Sequence, residues 1–378
     1  MLYQNIQREI KELLKVKTDT PSVLSVYLDM SGTNESTRKE VQVFLKNAFS
    51  QEKTRFKNDL ASLENLEASH KELLKYLEEE LEPHFKGLAI FIAANIPIIV
   101  PFKSMVPFKN EYLFAKSPYL KQLIELSDDF EPTLLVSVDS REAKIYKIVF
   151  GGFFSKEAFT NKTPGRYAMG GLNDMKWQHH FDFHLKEHAK SVADQIIKLV
   201  DQEGYSSIIL TGQSRNLGFL KEGLPKRLLD KISFENTLDR SVNDQEVVNK
   251  IIDQIKRHEK ESEKSVVENL ITVAKSEGNG GVTGIRKTID ACNKGLIRKL
   301  VVSENLAQNG FSCPKCKSIF DSFQMTCTLC GIPLEEMDLG YALMIRSKEL
   351  DGDVEVIHGK TDLDKRGSVG AFLRTTNR

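Results

Sequence analysis

The spacing of apolar and polar residues along this chain changes period repeatedly, and each change marks an element. The first residues predict a helix over about Gln4–Val16. VLSVYLDM (23–30) is rich in β-branched and aromatic residues and predicts a buried strand. Helical spacing returns over about Lys39–Leu60 and again over about Ala68–Leu81. GLAIFIAAN and IPIIVPF then read as two strands, and FKNEYLFAKSPYLKQLIEL as a further strand and helix.

The middle of the chain alternates strands with helices. PTLLVSVDSREAKIYKIVFGGF predicts two alternating strands joined by a turn at Asp139–Glu142. A Pro- and Gly-punctuated stretch from Pro164 ends in Gly170-Gly171 and runs into a long helical pattern. Trp177, Phe181, Leu185, Val192 and Ile196 form one apolar stripe on that helix. Lys176, His179, His180, Phe183, Lys186, Glu187 and Lys190 fall mostly on the other side, and Asn173 suits the N-cap. YSSIILTGQ (205–213) is a short continuous apolar run, the mark of a strand buried on both faces. Helices over Gly218–Leu229 and Asn243–Ile255 flank a strand candidate at ISFENTLD. This order predicts a mixed or parallel sheet with helices on both faces.

The last third reads helix, Gly-rich loop, helix, strand, and it closes with a strand, a loop and a strand in DGDVEVIHGKTDLDKRGSVGAFLR. GNGGVTG lacks the Lys-Ser/Thr of a P-loop, so it is a turn feeding a helix. The expected organisation is an N-terminal α/β domain at 1–130, a central domain at 131–262 and a C-terminal α/β domain at 263–378.

Cysteine placement adds chemistry to this outline. CPKC (313–316) and CTLCG (327–331) place Cys313, Cys316, Cys327 and Cys330 in two Cys-x-x-Cys knuckles, ten residues apart. Four thiolates on short turns suit a tetrahedral metal, and structural zinc is the default because it favours four sulfurs without redox chemistry. The ribbon should occupy about 310–335. Cys292 falls on an apolar helix face and reads as core. His180, His184 and His188 recur at i, i+4 and i+8. They form a metal-binding, RNA-facing or solvated face, and no carboxylate or cysteine is placed to complete a metal site.

Charge narrows the partners. The chain has 53 basic and 53 acidic side chains and no formal net charge, so any RNA contact must come from local patches. No apolar run approaches the ~20 residues that cross a bilayer. The charged, helical N-terminus is unlike a signal peptide, and the expected place is the cytoplasm.

The loop and helix from Gly170 to Asp194 resemble the central domain of the archaeal and eukaryotic class-1 peptide chain release factors and of Pelota. The SVYLD strand and the DSREAKIYKI pattern resemble the bacterial branch of that superfamily. Similar too are the VVSE strand (301–304), the Gly367–Arg374 tail and the placement of the cysteine ribbon, which also occurs there in archaeal release factors. The resemblance implies a multidomain α/β chain. It would have a mixed-sheet N-terminal domain, an RNase H-like central domain and a kink-turn-binding-like C-terminal domain with an inserted zinc ribbon. It implies a ribosome-binding protein acting at the A site in termination, rescue or quality control. Its partners would be ribosomal RNA, peptidyl-tRNA and a translational GTPase.

In the release factors a Gly-Gly-Gln tripeptide helps water attack peptidyl-tRNA; here Leu172 follows Gly170-Gly171, and Gln178 is the nearest amide that could substitute. On this resemblance Gly170, Gly171 and Gln178 are the catalytic candidates, and Arg166, Lys176, His179 and His180 the RNA-contact candidates. The family's codon-reading Asn-Ile-Lys-Ser loop has no counterpart. SQEKTRFKNDL (50–60) stands in its place, with Lys53, Arg55 and Lys57 reading as a solvated helix face. A non-hydrolytic hibernation or scaffold factor, and an RNA-binding protein that never meets the ribosome, are the alternatives.

Overall fold

The computed structural model describes residues 2–32, 35–79, 85–93, 98–140, 142–150, 152–160, 173–236, 244–276 and 280–374. The N-terminal region comprises α1 (Leu2–Lys15), β1 (Val23–Asp29), α2 (Glu35–Arg55), α3 (Leu60–Glu79), β2 (Gly87–Ala93), β3 (Ile98–Ser104), β4 (Glu111–Ala115) and α4 (Lys121–Asp129). Its four strands lie in the order β3-β2-β1-β4, and every described pair is antiparallel. This differs from the mixed sheet expected here; the mixed sheets are the central and C-terminal ones. Both faces of the N-terminal sheet are buried, which is why β1 and β2 are almost continuously apolar. Leu24, Val26 and Leu28 of β1 face α2 and α3, while Tyr27 beside them faces the opposite way.

α3 starts at Leu60, earlier than its apolar spacing predicts. The reason is a side-chain cap: the Ser62 N–H and hydroxyl donate to the Asp59 carboxylate at 3.2 and 2.6 Å. At the end of α2, Lys53 pairs with Glu67 and Arg55 with Glu52. That is the paired, solvated face expected for these cations.

The central sheet contains β5 (Thr133–Val138), β6 (Glu142–Val149), β7 (Gly152–Thr160), β8 (Ser207–Gly212) and β9 (Ile232–Asn236), in the order β7-β6-β5-β8-β9. β5, β6 and β7 pair antiparallel, and β5, β8 and β9 run parallel. The third antiparallel strand, β7, was not foreseen. Leu134, Val136 and Ile208 face α5 (Asn173–Glu203) and α6 (Ser214–Gly223). Leu135, Tyr146 and Ile209 face Ile251 of α8 (Asp244–Lys275) on the other side. The expected single helix over Gly218–Leu229 is divided into α6 and the short α7 (Lys226–Leu229) by Pro225, which has no N–H to continue the ladder.

The C-terminal elements are β10 (Gly281–Thr283), α9 (Ile285–Asn293), β11 (Ile297–Ser303), β12 (Asn309–Ser312), β13 (Ile319–Phe320), β14 (Glu335–Asp338), α10 (Leu339–Glu349), β15 (Asp353–Ile357) and β16 (Val369–Leu373). The main sheet has the order β10-β16-β11-β15 and is mixed, with β11 and β15 parallel. Leu300 and Val302 face α9 and α10, whereas Val301 and Phe372 pack on Val267 and Leu270 of α8. α8 is thus one 32-residue rod, ~48 Å long, that covers one face of two sheets and runs unbroken through residues 262 and 263.

The N- and C-terminal regions share a core. Tyr27, Phe91, Leu120 and Leu123 lie in one apolar cluster with Leu300, Leu343 and Val354. Tyr341 ties the seam with its phenol, which accepts the Leu120 N–H at 3.0 Å and donates to the Pro118 carbonyl at 3.2 Å. Tyr341→Phe removes that acceptor and leaves a buried N–H unpaired, so it should cost ~1–3 kcal/mol of unfolding free energy. Matched denaturant titrations of the two proteins measure the difference.

A second junction is acidic. Asp128 and Asp129 of α4, Glu259 and Glu263 of α8, and Glu355 of β15 converge around His358 and Lys299. Asp128 accepts the Val356 N–H at 2.6 Å, and Glu263 accepts the His358 N–H at 2.9 Å and faces its Nδ1 at 3.1 Å. Burial, reinforced by neighbouring carboxylates, lifts Asp129 to about 6 and Glu259 to about 8. The hydrogen bond to Glu263 lifts His358 to about 9. All three folded values lie above their unfolded ones. Their stabilisation is therefore fullest below the unfolded values and is lost as pH rises through about 6, 8 and 9. The melting temperature should fall between pH 6 and pH 9.5, and Glu259→Gln should flatten that fall; calorimetry across the range tests both.

Candidate metal centre and loop-bearing helix

Two chain reversals build the cysteine site. In the first, the Cys313 N–H donates to the Ser318 carbonyl and the Lys317 N–H to the Cys313 carbonyl, both at 2.9 Å. In the second, the Cys327 N–H donates to the Ile332 carbonyl and the Gly331 N–H to the Cys327 carbonyl, both at 2.8 Å. Each reversal needs a left-handed residue after its second cysteine: Lys317 at φ 62° and Gly331 at φ 72°. Glycine takes that conformation without cost, and lysine is strained by its Cβ. Lys317 is compensated by an ion pair with Glu349 at 2.9 Å.

The four sulfurs gather within 4.8 Å of one another. Cys313 and Cys330 are 3.3 Å apart, Cys316 and Cys327 3.4 Å, and Cys316 and Cys330 3.8 Å. No disulfide joins them. A tetrahedron with metal–sulfur bonds of ~2.3 Å has edges of ~3.8 Å, so the cluster fits a tetrahedral metal such as zinc. The Cys316 N–H lies 3.5 Å from Cys313 Sγ and the Leu329 N–H 3.4 Å from Cys327 Sγ, the type of donor that stabilises a bound thiolate. The Ser318 hydroxyl and backbone pull the Cys316 thiol down to about 6. Cys313 and Cys327 are buried. Cys292 is core as expected, and burial pushes its thiol up to about 11.

The second candidate site rests on α5. Leu185, Ala189, Val192, Ala193 and Ile196 are buried on the central sheet, whereas Phe183, Lys186, Glu187 and Lys190 are exposed, as the stripe predicts. The Arg215–Asp182 ion pair ties the start of α6 to α5 near this point. α5 also comes against α1. Arg166, Gly170, Gly171 and Leu172 lie outside the described residues. Lys176, Gln178, His179 and His180 fall in the first turns of α5, and their side chains, with those of Trp177 and Phe181, also lie outside them.

The histidine face needs one correction. His188 is buried, not surface-facing, because its position falls on the sheet side of α5 beside Ala189 and Val192. Burial pushes its ring below the usual histidine range, against the Glu142 carbonyl and the charge of Asp139. Its Nε2 has no hydrogen-bond partner. Among the described residues, only the four cysteines gather closely enough to hold a metal.

Sequence reasoning missed the two interdomain features, the acidic junction and a cationic cleft beside the ribbon. Their members come from segments up to 340 residues apart, and no local spacing signals them.

A comparison with curated proteins gives no match. Residues 118–256 match bacterial archaeo-eukaryotic release factor family 10. The matched segment holds the Gly170-Gly171 loop, all of α5 and the central sheet, and it supports the release factor and Pelota superfamily that these elements resemble. Among solved structures, archaeal translation termination factor aRF1 is 14% identical, with 99% of this chain and 98% of that one covered at a TM-score of 0.27. Saccharomyces cerevisiae Dom34, described as a termination-like factor interacting with Hbs1, is 12% identical, with 76% and 79% covered at 0.40. A ribosome-bound archaeal Pelota is 13% identical, with 98% and 94% covered at 0.38. These superpositions are loose, and the architecture given above rests on this chain's own sheets.

Cys327→Ser should remove about one metal equivalent per chain by elemental analysis. It should also speed amide exchange in β12, β13 and β14. β11 and β16 should stay protected, because Val301 and Phe372 are also buried against Val267 and Leu270 of α8, away from the ribbon.

Proposed function

We propose that this chain is a ribosome-binding, release-factor-like protein that acts at the A site in termination, rescue or quality control. The match of residues 118–256 to a release-factor family supports this reading. α5, packed on the central sheet from Leu185 onward, follows Gly170-Gly171 closely in sequence, which suits carrying a backbone group into a confined site. Arg166, Lys176, His179 and His180 would contact ribosomal RNA around that loop. The chain carries no excess of positive charge, so its affinity would depend on local contacts of this kind.

Leu172 favours the non-hydrolytic form of this function, an A-site occupant in rescue or hibernation. A leucine cannot replace the glutamine amide, and peptide release would require Gln178 or a backbone N–H to position water. A translational GTPase is the expected partner. Dom34 is described as interacting with Hbs1, and ABCE1 is named with the ribosome-bound archaeal Pelota. The cysteine cluster would hold structural zinc and brace the ribbon, its contribution being folding energy. No described helix is long and apolar enough to cross a membrane, and the proposed work is cytoplasmic.

The test is co-sedimentation with 70S ribosomes, followed by peptide release from stalled complexes. The wild type should sediment with ribosomes and release no peptide, and Gly170→Ala/Gly171→Ala should weaken sedimentation. Release by the wild type that Gln178→Ala abolishes would instead establish the hydrolytic form. Absence from the ribosomal fraction would overturn the proposal.

A further inference from the structure

At the seam between the N- and C-terminal regions, α1 and the 116–120 loop face the cysteine ribbon and α10 across a cleft of about 640 Å³. This volume falls in the range of small-molecule sites. The floor is aliphatic: Leu14, Val16, Leu120, Ile319, Met337 and Ile345. The rim is cationic, with seven Lys and Arg side chains against three carboxylates, in a chain whose total charge is balanced.

Part of this positive charge is neutralised within the fold. Lys11 pairs with Asp351, and Lys317 with Glu349. Lys15 reaches Glu12, while Lys17 donates to the Pro314 carbonyl. The side chains of Lys116 and Lys348 make no hydrogen bond or ion pair among the described residues. Arg346 donates through Nη1 to Glu349 at 3.2 Å, but its Nε is buried without an acceptor. Lys348 is half-buried, and that burial pushes its ammonium below the usual lysine range. Unpaired buried donors are costly, and an incoming anion would satisfy them.

We propose that this cleft binds a nucleoside di- or triphosphate, with the base on the aliphatic floor and the phosphates on Lys116, Arg346 and Lys348. A cleft with one apolar surface and one charged rim suits a molecule divided the same way. The ligand would bridge Lys116 of the N-terminal region and α10 of the C-terminal region, and so fix the seam. This inference stands apart from ribosome binding, because none of its residues belongs to the Gly170-Gly171 loop or α5.

The experiment is isothermal titration of the full-length, metal-loaded protein with ADP, GDP, adenosine and a twelve-residue poly(U) RNA. A nucleoside diphosphate should bind and adenosine should bind at least ~10-fold more weakly, because the charge-assisted contacts go to phosphate. The diphosphate affinity should fall as salt rises. Lys116→Met/Lys348→Met should weaken that binding ~10-fold or more, with metal content, melting temperature and ribosome co-sedimentation unchanged. Failure of both ADP and GDP to bind would overturn the proposal, as would equal affinities in wild type and variant. RNA binding lost in the variant, without nucleotide binding, would overturn it in favour of an RNA site.

Discussion

Two-sided burial of the N-terminal sheet is the constraint on which the whole arrangement depends. One face of β1 and β2 is covered locally by α2 and α3. The other face carries Tyr27, Ala89 and Phe91, which can leave water only against α1, α4 and the C-terminal region. Fully burying such side chains is worth ~1.5–3 kcal/mol each, so the sheet cannot leave that face open without a large loss. The requirement draws the ends of the chain together and places the ribbon beside α1. It also creates the cationic cleft between them.

α8 provides the corresponding constraint on the other side. It covers the central sheet with Ile251 and the C-terminal sheet with Val267 and Leu270. The acidic junction sits where α8 meets α4 and β15, and its carboxylates are held partly protonated by burial.

The two functional regions obey different physics. The cysteine site is built by local hydrogen bonds within two short turns, and its chemistry follows from spacing. α5 is packed on the central sheet from Leu185 onward, and that packing follows from its apolar stripe.

Much of this was legible in the residues alone. The 3.6-residue stripe of α5, the period-two strands β5 and β6, and the paired knuckles are local patterns, and local patterns report local structure. Capping is nearly as local, yet Asp59 was overlooked and α3 was placed too late. The direction of the N-terminal strands, the burial of His188, the unbroken span of α8 and the convergence of Lys116 with Lys348 were decided only by the tertiary structure. Each depends on which apolar face meets which across long stretches of chain, and that choice is made by packing rather than by neighbouring residues.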